Sequence, residues 1–162
     1  MTPYHIFETG FLIAVPSPPG PVPIRLMNGS TICSGRVEVF HICTWGSVCG
    51  DHWGMEEANV VCRLLNCGEA TSATGNATFG QGTGPVWLSD MRCEGTEVAL
   101  DQCPAKPYGN NNCSHSQDAG VTCSGKEISG ESQALAFHCQ ETELNEILKR
   151  EMDGDLRSQE ID

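Results

Sequence analysis

The sequence predicts a small, disulfide-rich α+β domain, on three observations. Nine of its ten cysteines fall between Cys33 and Cys123, a density of about 10% that marks a disulfide scaffold. Arg36-Val-Glu-Val-Phe-His41 alternates polar and apolar residues, the period of a half-buried strand. From Met55 to Asn66, Ala58, Val61, Cys62 and Leu65 recur at helical spacing, so one apolar face carries a cysteine toward the core. At 162 residues the chain holds one domain of ordinary size plus extra sequence.

Charge and cysteine usage exclude several function classes. Lys plus Arg number 9 against 21 Asp plus Glu, a formal net charge of −12. Nucleic acid is excluded as a partner, because binding it needs many cations to neutralise phosphates. A purely electrostatic hold on anionic membranes is disfavoured for the same reason. The cysteine load points away from a reducing cytosol and toward an extracellular, oxidising compartment. The apolar run Gly10 to Val15 stops at Pro16, far short of the roughly 20 residues a spanning helix needs. It also makes a poor signal peptide, since the residues before it carry Glu8 and no Lys or Arg. The expectation is therefore a fragment, or a chain whose native N-terminus is missing.

In chain order, residues 1–23 form an N-terminal segment ending in Pro16-Ser-Pro-Pro-Gly-Pro-Val-Pro23, a stiff linker of polyproline II character. A domain follows over residues 24–124. After the Arg36–His41 strand, Thr44-Trp-Gly-Ser-Val-Cys49 completes a hairpin. In the helix, Glu56 and Glu57 occupy the first turn, where the dipole favours negative charge, and Gly68 is expected as the left-handed cap. Pro85–Leu88 and Ala119–Cys123 read as short, glycine-punctuated strands. Residues 125–162 form an acidic tail, expected to be mostly disordered. Within it Glu143 to Met152 can form a short amphipathic helix capped by Thr142. Such a short helix needs a partner surface to be stable.

The cysteine spacing with its intervening words is specific. Ile24-Arg-Leu-Met-Asn-Gly29, Cys33-Ser-Gly-Arg-Val-Glu-Val39, Thr44-Trp-Gly-Ser-Val-Cys49 and Glu57-Ala-Asn-Val-Val-Cys-Arg63 run in order. They are followed by Cys67-Gly68, Phe79-Gly-Gln-Gly-Thr-Gly-Pro-Val-Trp-Leu88, Met91-Arg-Cys93 and Asp118-Ala-Gly-Val-Thr-Cys123. Together these resemble a scavenger receptor cysteine-rich (SRCR) domain of the eight-cysteine group, group B. The resemblance implies a curved β-sheet cradling one α-helix, used outside the cell as a non-catalytic ligand-binding module. The parent would be a scavenger-receptor-like membrane or secreted protein, in innate immune recognition. SRCR domains also accompany proteases and oxidases, so the alternative is an accessory domain of a larger extracellular enzyme.

Eight cysteines allow 105 pairings, and sequence alone does not choose among them. The family's pairing, carried over in order, joins Cys33–Cys67, Cys49–Cys113, Cys62–Cys123 and Cys93–Cys103. Cys43 stands in the hairpin where relatives usually carry glycine, and Cys139 stands in the tail. Three fates are open to these two: a bond to each other closing the tail over the sheet, two free thiols, or an intermolecular link.

The resemblance also implies a divalent cation site, usually for calcium. Its carboxylates come from an Asp-Asp pair before the fifth family cysteine and from a Glu near the end. Here the pair is Ser89-Asp90 and the Glu position is Gln117, leaving one carboxylate of three, while Asn112 matches a residue of a second cation position. Hard cations need several charged oxygens, so the expectation is no cofactor, with Asp90 a solvated loop acid. Gly35 to Trp45 resembles a segment through which some secreted members engage microbes, although Val37, Val39 and Trp45 equally suit strand and core positions. The domain offers Arg25, Arg36, Arg63, Arg92 and Lys106 against ten acids. A protein ligand is thus at least as plausible as a polyanionic or microbial-surface one. Sequons stand at Asn28, Asn76 and Asn112; in an extracellular setting Asn28 and Asn76 are the expected glycosylation sites, and Asn112 is disfavoured by its neighbour Cys113.

Enzyme-like patterns dissolve. Gly80-Gln-Gly-Thr-Gly84 has the glycines of a dinucleotide loop, but Pro85 and a strand follow it instead of a helix. There is no Cys-x-x-Cys, Gly-x-Ser-x-Gly or His-Glu-x-x-His.

Overall fold

The computed structural model describes residues 21–125 together with 148 and 149. The linker before residue 21 and the tail helix apart from Leu148 and Lys149, both helical and exposed, lie outside the described residues.

Among residues 21–125, six strands and one α-helix appear in the order β1 (Ile24–Asn28), β2 (Ser34–His41), β3 (Thr44–Val48), α1 (Met55–Leu64), β4 (Ala70–Thr74), β5 (Val86–Leu88) and β6 (Gly120–Cys123). The six strands belong to one sheet, ordered β4-β6-β2-β3-β5, with β1 on the other edge of β2. The central strand therefore has three partners. Its first residues, Ser34 to Arg36, pair antiparallel with β6, while Glu38 to His41 pair antiparallel with β3. Ala119 sits at the branch point, accepting from Val37 N–H at 2.9 Å and donating to Val48 O at 2.8 Å. Sharing one edge between two strands curls the sheet around the core.

The helix closes the concave side against β4 and β6. Ala58, Val60, Val61 and Cys62 are fully buried with Val37, Val39, Val48 and Val121. These residues carry few methylenes each, so covalent bracing supplements the core. Four disulfides supply it: Cys33–Cys67, Cys49–Cys113, Cys62–Cys123 and Cys93–Cys103. Cys43 is disulfide-bonded as well, and Cys139 lies outside the described residues. Closing the long loops of Cys49–Cys113 and Cys62–Cys123 contributes roughly 4 kcal/mol each by the loop-entropy account.

The structure departs from expectation at three places. β2 is buried on both faces from Ser34 to Val39 instead of being half-buried. Arg25 and the backbone at Phe79 and Gly80 hold Arg36 and Glu38 on the face that alternation assigns to solvent. The helix cap is Asn66, not Gly68. Asn66 N–H donates to Arg63 O and Cys67 N–H to Cys62 O, the paired bonds of a Schellman motif, with Asn66 at φ 56°. Gly68, at φ 78°, turns the chain into β4 two residues later. β4 itself, Ala-Thr-Ser-Ala-Thr, carries no apolar signal, and its pairing with β6 creates it.

The hairpin between β2 and β3 is a two-residue turn with Ile42 at φ 45° and Cys43 at φ 57°. Two consecutive left-handed residues are the type I′ requirement that glycine and asparagine ordinarily fill. Thr44 donates its hydroxyl to Ile42 O, helping hold a β-branched residue there.

Candidate ligand-binding surface

The segment Gly35 to Trp45 is the central strand and its turn. Val37 and Val39 are fully buried, and Arg36 and Glu38 are buried too. Only from Phe40 onward does it approach the surface, where Phe40 and Trp45 lie 5.2 Å apart and Arg25 covers the Trp45 ring at 4.3 Å. Beside the turn, His41 stacks on Tyr108 at 4.0 Å and meets Trp87 edge-on at 5.0 Å. In the folded module Gly35 to Val39 is scaffold, inaccessible to a ligand, and Phe40 to Trp45 is the part that reaches the surface.

Four of the module's five cations are spent internally. Arg25 and Arg36 both bind the Glu38 carboxylate, at 2.6 and 3.1 Å, and Arg36 also donates to Phe79 O and Gly80 O. Arg63 donates to the carbonyls of Gly95 and Glu97, closing a turn whose amides are capped by the Glu97 carboxylate. Those backbone hydrogen bonds, with Glu94 first, hold the Glu97 pKa below its usual value. Arg92 pairs with Asp90 at 3.0 Å. Of the module's five cations, only Lys106 has no such partner among the described residues. Polyanions are gripped by clustered free cations, and this surface provides none.

The Cys49–Cys113 disulfide gathers the residues of the implied cation edge. Asp90, at φ 51°, donates its N–H to Asp51 Oδ1 at 3.0 Å. Its carboxylate faces Arg92 at 3.0 Å and His52 at 3.4 Å. Ser89 is buried and its hydroxyl has no hydrogen-bond partner. Gln117 accepts from Ser114 N–H, and Asn112 is exposed beside Cys113. Asp51 and His52 lacked any local sequence signal, and Arg92 stood out only as a module cation within Met91-Arg-Cys93. Only the pairing of Cys49 with Cys113 shows that the chain just after Cys49 shares this edge.

These residues do not fit a calcium ion. Calcium takes six to eight oxygens, several of them anionic, whereas Asp90 is already countered by Arg92. Two groups of three potential ligands occur among the described residues, Cys49/Asp51/Cys113 and Cys93/Glu97/Cys103. Each contains a disulfide, whose sulfurs lack the thiolate that binds metal.

Ser47, His115 and Asp118 have the composition of a hydrolase triad without its geometry. The Ser47 hydroxyl donates to Asp118 at 2.7 Å, Asp118 also accepts from Gly82 N–H at 2.7 Å, and His115 Nε2 lies 2.5 Å from Gly84 O. The serine is aimed at the carboxylate and buried, so the trio fastens the glycine-rich loop 80–84 to β3 and does not activate a nucleophile. A recess of about 220 Å³ lies among Leu88, Met91, Leu100, Lys106, Pro107 and Tyr108. That is below the roughly 300–1,000 Å³ of small-molecule sites. The sequons at Asn28, Asn76 and Asn112 are all exposed. Asn28 donates to Phe79 O, so Asn28 and the 76–80 loop share one edge. No helix among the described residues is long and apolar enough to cross a membrane.

Comparison with known proteins agrees with this arrangement. The family model described as "Scavenger receptor cysteine-rich domain" matches residues 27–124. The third SRCR domain of murine neurotrypsin is 44% identical, with a TM-score of 0.60, covering 65% of this chain and 99% of that one. The SRCR domain of mouse MARCO, solved in a dimeric form, is 39% identical with a TM-score of 0.53, covering 61% and 92%. A curled sheet holding one helix, four disulfides and a family match over most of the described residues lead to one conclusion: the chain belongs to the scavenger receptor cysteine-rich family.

Proposed function

We propose that this module binds a protein ligand outside the cell, as the recognition part of a scavenger-receptor-like membrane or secreted protein in innate immunity. SRCR domains bind protein or other ligands and are generally non-catalytic. The observation that carries the choice of ligand is the internal use of Arg25, Arg36, Arg63 and Arg92. With those cations committed and the recess beside Tyr108 below small-molecule size, the surface suits shape and hydrogen-bond complementarity to another protein. Glycans at Asn28 and Asn76 would shield the edge near the 76–80 loop. Panning the oxidised, glycosylated chain against a library of extracellular proteins, with dextran sulfate as the polyanion control, tests the reading. Saturable binding to a protein with none to dextran sulfate supports it; binding to dextran sulfate alone at physiological salt contradicts it.

A second reading has one specific observation behind it. The 44% identical structure is the third SRCR domain of a protein named neurotrypsin, which favours an accessory domain of an extracellular protease or oxidase. The full-length transcript separates the two: a flanking protease or copper-oxidase domain supports the accessory reading. Further SRCR copies or a membrane span support the receptor.

A further inference from the structure

We infer that Arg92 is a resident cation: its guanidinium takes the place of the divalent ion beside Asp90, so that this edge of the module forms without calcium. Three observations meet here. The Asp90 carboxylate, 28% exposed, holds Arg92 at 3.0 Å and His52 at 3.4 Å, so a positive charge from the chain already stands at the carboxylate a metal would use. The turn carrying Asp90 is tied to neighbouring segments through Asp90 N–H to Asp51 and Arg92 N–H to Pro104 O at 2.9 Å. The two remaining oxygen positions have lost their charge. Ser89 presents a buried hydroxyl with no partner, and the Gln117 carboxamide accepts from Ser114 N–H.

An entering calcium ion would have to expel the Arg92 guanidinium from Asp90 and then find most of its ligands among neutral oxygens. A fixed intramolecular cation competes at high effective concentration and also supplies directional N–H donors that a carboxylate accepts well. Arg92, 61% exposed, therefore both neutralises the turn and keeps calcium out. The inference is independent of which ligand the module takes.

The test is calcium titration of the oxidised chain by calorimetry up to about 10 mM, roughly ten times the weaker extracellular sites, with melting measured in EDTA and in calcium. The wild type is expected to show no saturable heat and no calcium-dependent rise in melting temperature. Ser89→Asp/Arg92→Ala/Gln117→Glu, which removes the cation and restores the carboxylates, is expected to bind calcium and to melt about 5 °C or more higher in its presence. Saturable calcium binding by the wild type, lost in Asp90→Asn, would overturn the inference. So would a folded triple variant that stays silent. The wild-type measurement stands even if the triple variant fails to fold.

Discussion

Glu38 is the residue on which the buried face of β2 depends, and removing it should be far more costly than its charge on a strand suggests. Its side chain is 8% exposed and accepts from Arg25 at 2.6 Å and from Arg36 at 3.1 Å, the latter also 8% exposed. In Glu38→Ala the Arg36 guanidinium keeps only the carbonyls of Phe79 and Gly80, and its charge is buried without a counterion. Breaking one side of a buried pair costs about 3–5 kcal/mol. With a urea m-value of about 1.5 kcal/mol/M, the midpoint falls by about 2–3 M. Arg25→Ala should cost about 1 kcal/mol. Arg25 is 37% exposed, and its loss removes a partly screened pair and its contact with Trp45. The double variant Arg36→Met/Glu38→Leu, which removes both buried charges, should recover most of the Glu38→Ala loss. Equilibrium urea unfolding of the oxidised chain reads all three. A Glu38→Ala loss under 1 kcal/mol, or a double variant no better than Glu38→Ala, would show that Arg36 is not held by this pair.

Three further outcomes follow from particular residues. Asn66→Val should cost about 1–2 kcal/mol, because a β-branched residue is forced into the left-handed cap, while Asn66→Gly should be neutral or slightly stabilising; thermal unfolding compares them. Ser89→Ala should be neutral or stabilising by up to about 1–2 kcal/mol, since it removes a buried hydroxyl that has no partner. A clear destabilisation would mean that the hydroxyl is satisfied in solution. Burial, and then the Asp101 carboxylate, raise the Tyr108 phenol above its ordinary 10.0. The folded state then holds that proton more tightly than the unfolded chain, so this contribution is full below about pH 10 and lost as pH climbs past it. Urea midpoints across that range should fall in the wild type and fall less in Tyr108→Phe, with equal slopes refuting the assignment.

Fold and family were legible because they rest on local words: cysteines at fixed spacing, the alternating β2, the helix with Cys62 on its apolar face. What escaped depends on tertiary placement. β4 has no apolar residue larger than alanine, and only β6 beside it makes it a strand. Arg36 and Glu38 read as solvent-facing until loop 79–80 is laid over them. Asn66 was overlooked as a cap because Gly68 is the better left-handed residue by itself, yet the helix ends at Leu64, where Asn66 occupies the required position. At the cation edge, Asp90, Asn112 and Gln117 were found by resemblance. Asp51 and His52 carry no motif and meet Asp90 only through the fold, while Arg92, inside Met91-Arg-Cys93, gave no sign of its pairing.

The most direct measurement is surface plasmon resonance of the oxidised, glycosylated chain over a panel of extracellular proteins and dextran sulfate, in calcium and in EDTA at physiological salt. Saturable binding to a protein that EDTA leaves unchanged is expected, with no saturable response to dextran sulfate. Protein binding that vanishes in EDTA, or saturable capture by dextran sulfate, would contradict the proposed function.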